Sequence, residues 1–207
     1  MEQEISAAEM DMVLASRKDG RMHDVTVFIL DGYGRVAVIR KPFFVPGAWR
    51  VPSGGIHRGE DVEQGIKREM REETGLDIAL RRYLLRIAVR FVSEWCSDGC
   101  CPEGQGQPSR VQPWVSHVFA ATLPVPAPDA ALQPEDHQEI AAARWATLDE
   151  LQGPIRQALL GTGRGLFCYR VRLTDLAVEM LAKLGAELGG PPSRHYCDPS
   201  ARDSSAP

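Results

Sequence analysis

Apolar residues in this chain follow first the spacing of strands, then that of helices, and the two alternate along the sequence. Residues 24 to 30 (DVTVFIL) and 35 to 40 (RVAVIR) are short apolar runs on either side of a glycine-containing turn, which predicts a β-hairpin. Further strands are predicted over residues 48 to 51, 79 to 92, 113 to 123 and 139 to 147. The chain therefore carries enough strand pattern for one sheet.

Helical spacing of apolar residues appears between these runs and on both sides of them. Residues 7 to 17 follow the capping box Ser6-x-x-Glu9, and residues 62 to 74 lie between an N-cap aspartate and a glycine. Residues 173 to 184 have one apolar face, and a short helix is predicted to start at Leu148. In the second helix, the face formed by Val62, Ile66 and Met70 is predicted to pack on the sheet. Strands alternating with helices indicate an α/β protein with a mixed sheet.

Composition divides the chain into one domain with two appendages. With 207 residues there is enough chain for one sizeable core. We expect a helical extension over residues 1 to 20 and the folded domain over 21 to 186. Residues 93 to 112, rich in Gly, Pro, Ser and Cys, are predicted to be an inserted loop, and residues 187 to 207 a disordered tail.

Charge and hydropathy argue against some partners. The net charge of −4 gives no reason to expect nucleic acid or a membrane surface as a partner. No run approaches eighteen apolar residues, and the acidic N-terminus lacks an apolar signal segment. We expect a cytoplasmic protein that acts on a small molecule, with a homodimer left open.

The helix over residues 62 to 74 carries an unusual acidic cluster. Glu69, Glu72 and Glu73 are spaced i, i+3 and i+4, so their carboxylates lie on one helix face. Like charges at this spacing destabilise an isolated helix by about 0.2 to 0.5 kcal/mol per pair, so a cation is expected to compensate them. Mg²⁺ or Mn²⁺ suits such an oxygen-only ligand set. The alternative is an acidic face that is only solvated.

The cluster is part of a longer pattern with fixed intervals. Residues 54 to 76 read G-x5-E-x7-R-E-U-x-E-E-x-G-U, where U is a bulky aliphatic residue. At every defined position this resembles the Nudix box of the Nudix hydrolase (MutT-like) family, with the subfamily unassigned. The resemblance, which covers residues 25 to 184, implies a mixed β-sheet sandwiched between α-helices. It also implies Mg²⁺-dependent hydrolysis of the diphosphate linkage in a nucleoside diphosphate derivative.

The resemblance also implies roles for single residues. Arg68 is expected to hold a box carboxylate in place, and Gly54, Gly55 and Glu60 to form the cofactor-binding framework. Metal binding is expected of five residues: Ser53 through its carbonyl, Glu69, Glu72, Glu73 and Glu139.

One of these carboxylates lies outside the box. Glu139 precedes a tryptophan-containing strand, where the family commonly places a further ligand or base. Glu135 and Asp136 are rivals for this role, and a solvated position at the start of a strand is the alternative. Glu69 and Glu139 both stay open as the general base, because sequence gives no geometry.

The substrate is less clearly indicated. Two departures from the family pattern are Ser53, where glycine is more usual, and His57, where many members have glutamate. Candidates for phosphate contact are Arg40, Lys41 and Arg50. Trp95, Trp114 and Phe119 either stack on a base or pack in the core.

A nucleotide- or protein-binding regulatory domain without hydrolysis is the alternative function.

Three cysteines lie close together in the predicted insertion. Cys96, Cys100 and Cys101 could supply thiolates to a structural Zn²⁺, with His117 or a cysteine distant in the chain as the fourth ligand. The odd total of five cysteines argues against a disulfide framework. Surface thiols without a metal are the alternative.

Overall fold

The computed structural model describes residues 1–18, 23–93, 110–125, 127 and 130–187. Its strands are β1 (Glu2–Glu4), β2 (His23–Leu30), β3 (Arg35–Arg40), β4 (Ser53–Ile56), β5 (Ala79–Ser93), β6 (Arg110–Thr122) and β7 (Ala142–Thr147). Its helices are α1 (Ala7–Lys18), α2 (Val62–Thr74), α3 (Leu148–Glu150), α4 (Arg156–Leu160) and α5 (Gly165–Glu187), with a π-helical segment over Leu151–Ile155.

The strands form one mixed sheet. Its order is β1-β5-β6-β2-β3-β7, and β4 pairs with β2 beside this path. The pairs β1/β5 and β2/β6 are parallel, whereas the others are antiparallel. The central strand β2 is therefore flanked by β6, β3 and β4, and its apolar residues are buried from both sides.

Helices cover both faces of this sheet. Ile66 and Met70 of α2 join Val25 and Val27 of β2 in one apolar cluster. The other face carries a larger cluster, in which α1 and α5 pack against residues such as Phe28. The predicted α/β architecture, a mixed sheet between helices, is confirmed. No helix in the described ranges is long and apolar enough to cross a membrane.

Helix α2 has the bounds that its capping residues predict. The Asp61 side chain accepts a hydrogen bond from the Gln64 amide, and Gly75 ends the helix in the left-handed conformation at φ 73°. Ile66 and Met70 are fully buried, as predicted, but Val62 is 48% exposed. The predicted packing of Val62 on the sheet is therefore wrong.

Two strands differ from the prediction. Residues 48 to 51 form no strand; instead Ser53–Ile56, predicted as a loop, pairs antiparallel with β2 from Thr26 to His23. Strand β7 begins at Ala142 rather than at Glu139, because Asp136 Oδ1 accepts the amides of Gln138 and Glu139 and holds these residues in a turn.

The predicted insertion is shorter than residues 93 to 112. Ser93 pairs with Arg110 and Val92 with Val111, so both ends of that range extend β5 and β6. The cysteines 96, 100 and 101 lie outside the described residues, as does the predicted tail from residue 188. Within the described residues, no three His, Cys, Asp or Glu side chains stand close enough together to hold a metal ion. The zinc site stays a prediction.

Candidate active site

Strand β4 lies directly against α2 at a glycine. A Cβ atom on Gly54 would overlap the Glu69 carboxylate and lie 2.6 Å from Glu69 Cγ. Because glycine has no Cβ, the Glu69 side chain can lie flat on the strand. Its Oε1 accepts the Gly55 amide at 3.1 Å. The lack of a side chain at Gly54 therefore allows α2 to pack this close to β4.

Glu73, at the last turn of α2, has a buried cationic partner. Its Oε2 accepts the Ser53 amide at 2.8 Å, and its Oε1 accepts from Arg50 Nη2 at 3.1 Å. Arg50 Nη1 also donates to Ser53 Oγ at 2.7 Å. Burial raises the pKa of Glu73 and lowers the pKa of Arg50, and each charge partly offsets that effect on the other. The pair therefore stabilises two charges that could not be buried singly.

Arg68 is the centre of a second ion-pair network. Its Nε and Nη2 donate to the two Glu60 oxygens at 2.8 and 3.0 Å, and Nη2 also reaches the Gly55 carbonyl at 3.1 Å. Its Nη1 donates to Glu69 Oε1 at 3.0 Å and to Glu72 Oε2 at 3.1 Å. Hydrogen bonds from Arg68 hold the pKa of Glu60 at about 2. One planar guanidinium thus orients three carboxylates.

The cluster retains negative charge and oxygen atoms without donors. Four carboxylates, those of Glu60, Glu69, Glu72 and Glu73, face only two guanidinium groups. Among the described residues, no donor reaches Glu69 Oε2 or Glu72 Oε1. Partial burial raises the pKa of Glu72.

This donor set fits a hard divalent cation, because it supplies carboxylate oxygens and carries a surplus of negative charge. In this structure, no three acidic side chains among the described residues stand close enough together to hold a metal ion. Glu72 is the most exposed of the three helix carboxylates, with a side chain that is 43% exposed.

The loop before β7 meets the same end of α2. The amides of Glu135 and Asp136 donate to the Glu72 carbonyl at 2.9 and 3.0 Å. Glu139 follows in the turn, half exposed, with its Oε2 2.6 Å from Lys41 Nζ. Lys41 also acts electrostatically on Glu73. The structure therefore places Lys41 near both Glu73 and the carboxylate outside the box.

The cationic candidates occupy different environments. Arg50 is a buried partner of Glu73, and Lys41 pairs with Glu139. Arg40 stacks on Trp49 with 5.6 Å to the ring centroid, and its buried Nε has no hydrogen-bond partner among the described residues. The Lys41 side chain is 21% exposed, against 8% for Arg50.

Of the aromatic candidates, Trp95 lies outside the described residues. Trp114 packs beside Phe91, and Phe119 packs edge-on against Tyr83 with ring centroids 5.1 Å apart. Sequence reasoning missed Asp24, which lies near Arg50. A single acidic residue at the start of an apolar strand was the one available signal.

Comparison with known proteins agrees with this geometry. A family model described as the NUDIX domain matches residues 20–162. The chain is 29% identical to an RNA pyrophosphohydrolase of Caulobacter vibrioides over 111 residues, which cover 51% of this chain and 59% of that protein. It is 30% identical to an RNA pyrophosphohydrolase of Sphingopyxis alaskensis over 136 residues, 64% of this chain and 84% of that protein.

A third relative matches over a short stretch. It is the NAD-capped RNA hydrolase NudC of Pseudomonas aeruginosa, 43% identical over 49 residues, which are 24% of this chain and 18% of that protein. The chain thus spans less than two thirds of the length of the Caulobacter and Pseudomonas relatives. The packing of α2 against β4 at Gly54 is consistent with the match to the family model. This chain belongs to the NUDIX domain family.

Proposed function

We propose that the protein is a hydrolase that cleaves the diphosphate linkage of a nucleoside diphosphate derivative by attack of water on phosphorus. The observation that carries the proposal is the acidic face of α2 together with Glu60 just before the helix: these four carboxylates are oriented by two arginines and keep a surplus of negative charge. A purely structural helix face gains nothing from a surplus of negative charge, because like charges at this spacing destabilise a helix.

We infer that Mg²⁺ or Mn²⁺ is the cation for this site. Glu69, Glu72 and Glu73 would hold it, with the Ser53 carbonyl as a further ligand. When bound, such an ion polarises a phosphoryl oxygen and lowers the pKa of a water molecule. The chain's own contribution is orientation: Arg68 fixes Glu69, and Arg50 fixes Glu73.

Two residues outside the box complete the proposed site. Lys41 would supply positive charge for the phosphate, since its side chain is 21% exposed and its charge acts on Glu73. Glu139 and Glu69 are the two candidates for the base that takes the proton from water. Glu139 is the more accessible, with a side chain 53% exposed against 8% for Glu69.

The relatives suggest a second substrate class. Two of them are named RNA pyrophosphohydrolases and one an NAD-capped RNA hydrolase. A substrate panel therefore includes an RNA oligonucleotide with a 5′-triphosphate beside dinucleotides and nucleoside diphosphate sugars.

The test is phosphate or nucleotide release from this panel with Mg²⁺ or Mn²⁺. We expect Glu73→Gln and Glu72→Gln to lower turnover by at least about 100-fold, because each removes a charged ligand of the proposed ion. Glu63→Gln is the matched control. Glu63 lies on the same helix, is exposed and, among the described residues, pairs with Lys67 alone, so we expect unchanged turnover.

Two outcomes would contradict the hydrolase. One is no turnover of any compound by the wild type, which would favour a nucleotide- or protein-binding regulatory domain. The other is turnover by Glu73→Gln at the wild-type rate, which would place the chemistry elsewhere.

A further inference from the structure

A cavity of about 200 Å³ lies beside Arg50 and Ser53, on the face of the sheet opposite α2. One wall is formed by Ser16 and its neighbours in α1, and another by residues of α5 such as Phe167. Both walls lie outside residues 20–162, the range that the family model matches. The cavity is therefore shaped by parts of the chain that the family pattern does not define.

The cavity has the size and walls for a planar ring system. A cavity of about 150 Å³ is large enough to bind benzene, so this one takes a larger heterocycle. Phe43 stands 51% exposed at its rim, with Phe44 behind it at 5.2 Å between ring centroids. Phe44 in turn meets Phe167 at 4.8 Å. Aromatic walls of this kind favour stacking with a nucleobase.

The polar end of the cavity is held by a buried hydrogen-bond network. Asp24 Oδ2 accepts from the Ser116 hydroxyl, which in turn accepts from the Tyr169 hydroxyl at 2.6 Å. Arg170 Nη1 lies 3.7 Å from Asp24 Oδ2 and donates to Thr26 Oγ1 at 3.2 Å. No donor among the described residues reaches Asp24 Oδ1. A fixed carboxylate with spare acceptor capacity thus lines the cavity beside a guanidinium group.

We propose that this cavity binds the guanine base of a nucleotide and that Asp24 selects it. A carboxylate can only accept hydrogen bonds, and guanine offers two adjacent donors, its N1–H and its exocyclic amino group. The neighbouring Arg170 donates to the guanine carbonyl oxygen. Adenine presents an acceptor at N1 and uracil a single donor, so neither satisfies the carboxylate in the same way. The inference rests on the proposed function for the ligand being a nucleotide.

The test is direct binding of GMP, IMP, AMP and UMP to the full chain by calorimetry, without divalent metal. We expect GMP to bind at least about 10-fold more tightly than AMP or UMP, because a good bidentate contact discriminates by that much or more. IMP keeps N1–H but lacks the amino group, so its affinity falls between. Asp24→Asn lowers GMP affinity by about 10-fold or more and leaves AMP within about 3-fold. Phe43→Ala, the matched control, weakens all four alike.

Equal affinity for the four nucleotides overturns the proposal, as does an Asp24→Asn variant that weakens all four equally. The wild-type ranking needs no variant, so it decides the matter even where Asp24→Asn does not fold. Hydrolysis without guanine preference refutes this inference alone. Guanine preference without hydrolysis refutes the proposed function and leaves the base site standing.

Discussion

Arg50 and Glu73 form a buried ion pair, with Arg50 Nη2 3.1 Å from Glu73 Oε1 and both side chains less than a tenth exposed. The two residues are 23 positions apart in sequence. Arg50 precedes β4, while Glu73 is in the last turn of α2. The pair therefore joins the segment before β4 to the end of α2. It lies beside the proposed metal site.

Removing one partner of this pair is expected to destabilise the fold. Arg50→Met leaves the Glu73 carboxylate buried without a cation, which costs about 3 to 5 kcal/mol of unfolding free energy. Urea unfolding measures it. Lys67→Ala, which breaks the exposed Lys67–Glu63 pair, serves as the control and costs about 0.5 kcal/mol or less. An equal loss of unfolding free energy in the two variants would show that burial of the Arg50–Glu73 pair does not affect stability.

Adding one methyl group to β4 should separate the strand from the helix. In Gly54→Ala the new Cβ overlaps the Glu69 carboxylate, so we expect a loss of about 1 to 3 kcal/mol together with a large loss of turnover. Gly185→Ala, in α5 with open space around it, is the control and gains up to about 1 kcal/mol. Thermal unfolding and turnover are measured on both. A fully active Gly54→Ala would mean that the spacing at Glu69 is unimportant.

Arg68→Lys tests the orienting role of a planar guanidinium. Lysine keeps the charge but cannot contact Glu60, Glu69 and Glu72 together. We expect the apparent affinity for Mg²⁺ or Mn²⁺ to fall by about 10- to 100-fold, as for other groups that orient metal ligands. Metal titration of activity and calorimetry measure it, with Arg71→Lys at the exposed end of α2 as the control. An Arg68→Lys variant with unchanged metal affinity would restrict the residue to a structural role.

Tyr169 should make stability fall at high pH. Burial raises the pKa of Tyr169 to about 12, against 10.0 as the ordinary value. The unfolded chain therefore loses the phenol proton first, so this contribution is complete below pH 10 and is lost as the pH rises through 12. It amounts to roughly 2.7 kcal/mol across that interval.

The measurement is urea unfolding at several pH values between 9 and 12 for the wild type and Tyr169→Phe. The variant lacks the ionisable group, so its stability declines less steeply over this interval. Parallel declines for the two proteins would contradict the assignment.

The sequence alone predicted both ends of α2, because interactions between residues near in sequence determine this helix. Asp61 and Gly75 satisfy the helix ends, and the apolar spacing of Ile66 and Met70 sets the buried face. Alternating periodicities indicated an α/β protein, and the family resemblance implied that helices cover both faces of a mixed sheet. Which of the aligned carboxylates bind metal stays a prediction.

Other features depend on contacts between distant parts of the chain. Ser53–Ile56 looks like a loop because its glycines have low strand propensity, yet pairing with β2 makes it a strand. Arg50 looks like a surface cation until the fold buries it against Glu73. The proposed base cavity needs α1 and the start of α5 close together, which no local pattern encodes.

Ser116 brings together three distant parts of the chain. Its hydroxyl contacts Asp24, 92 residues earlier, and Tyr169, 53 residues later. Such long-range contacts form late in folding, because loop closure must precede them. During synthesis the sheet and the acidic helix can emerge and pair before α5 has left the ribosome. The proposed base cavity is then the last part of the molecule to form, so an unfinished chain would carry the acidic helix without this cavity.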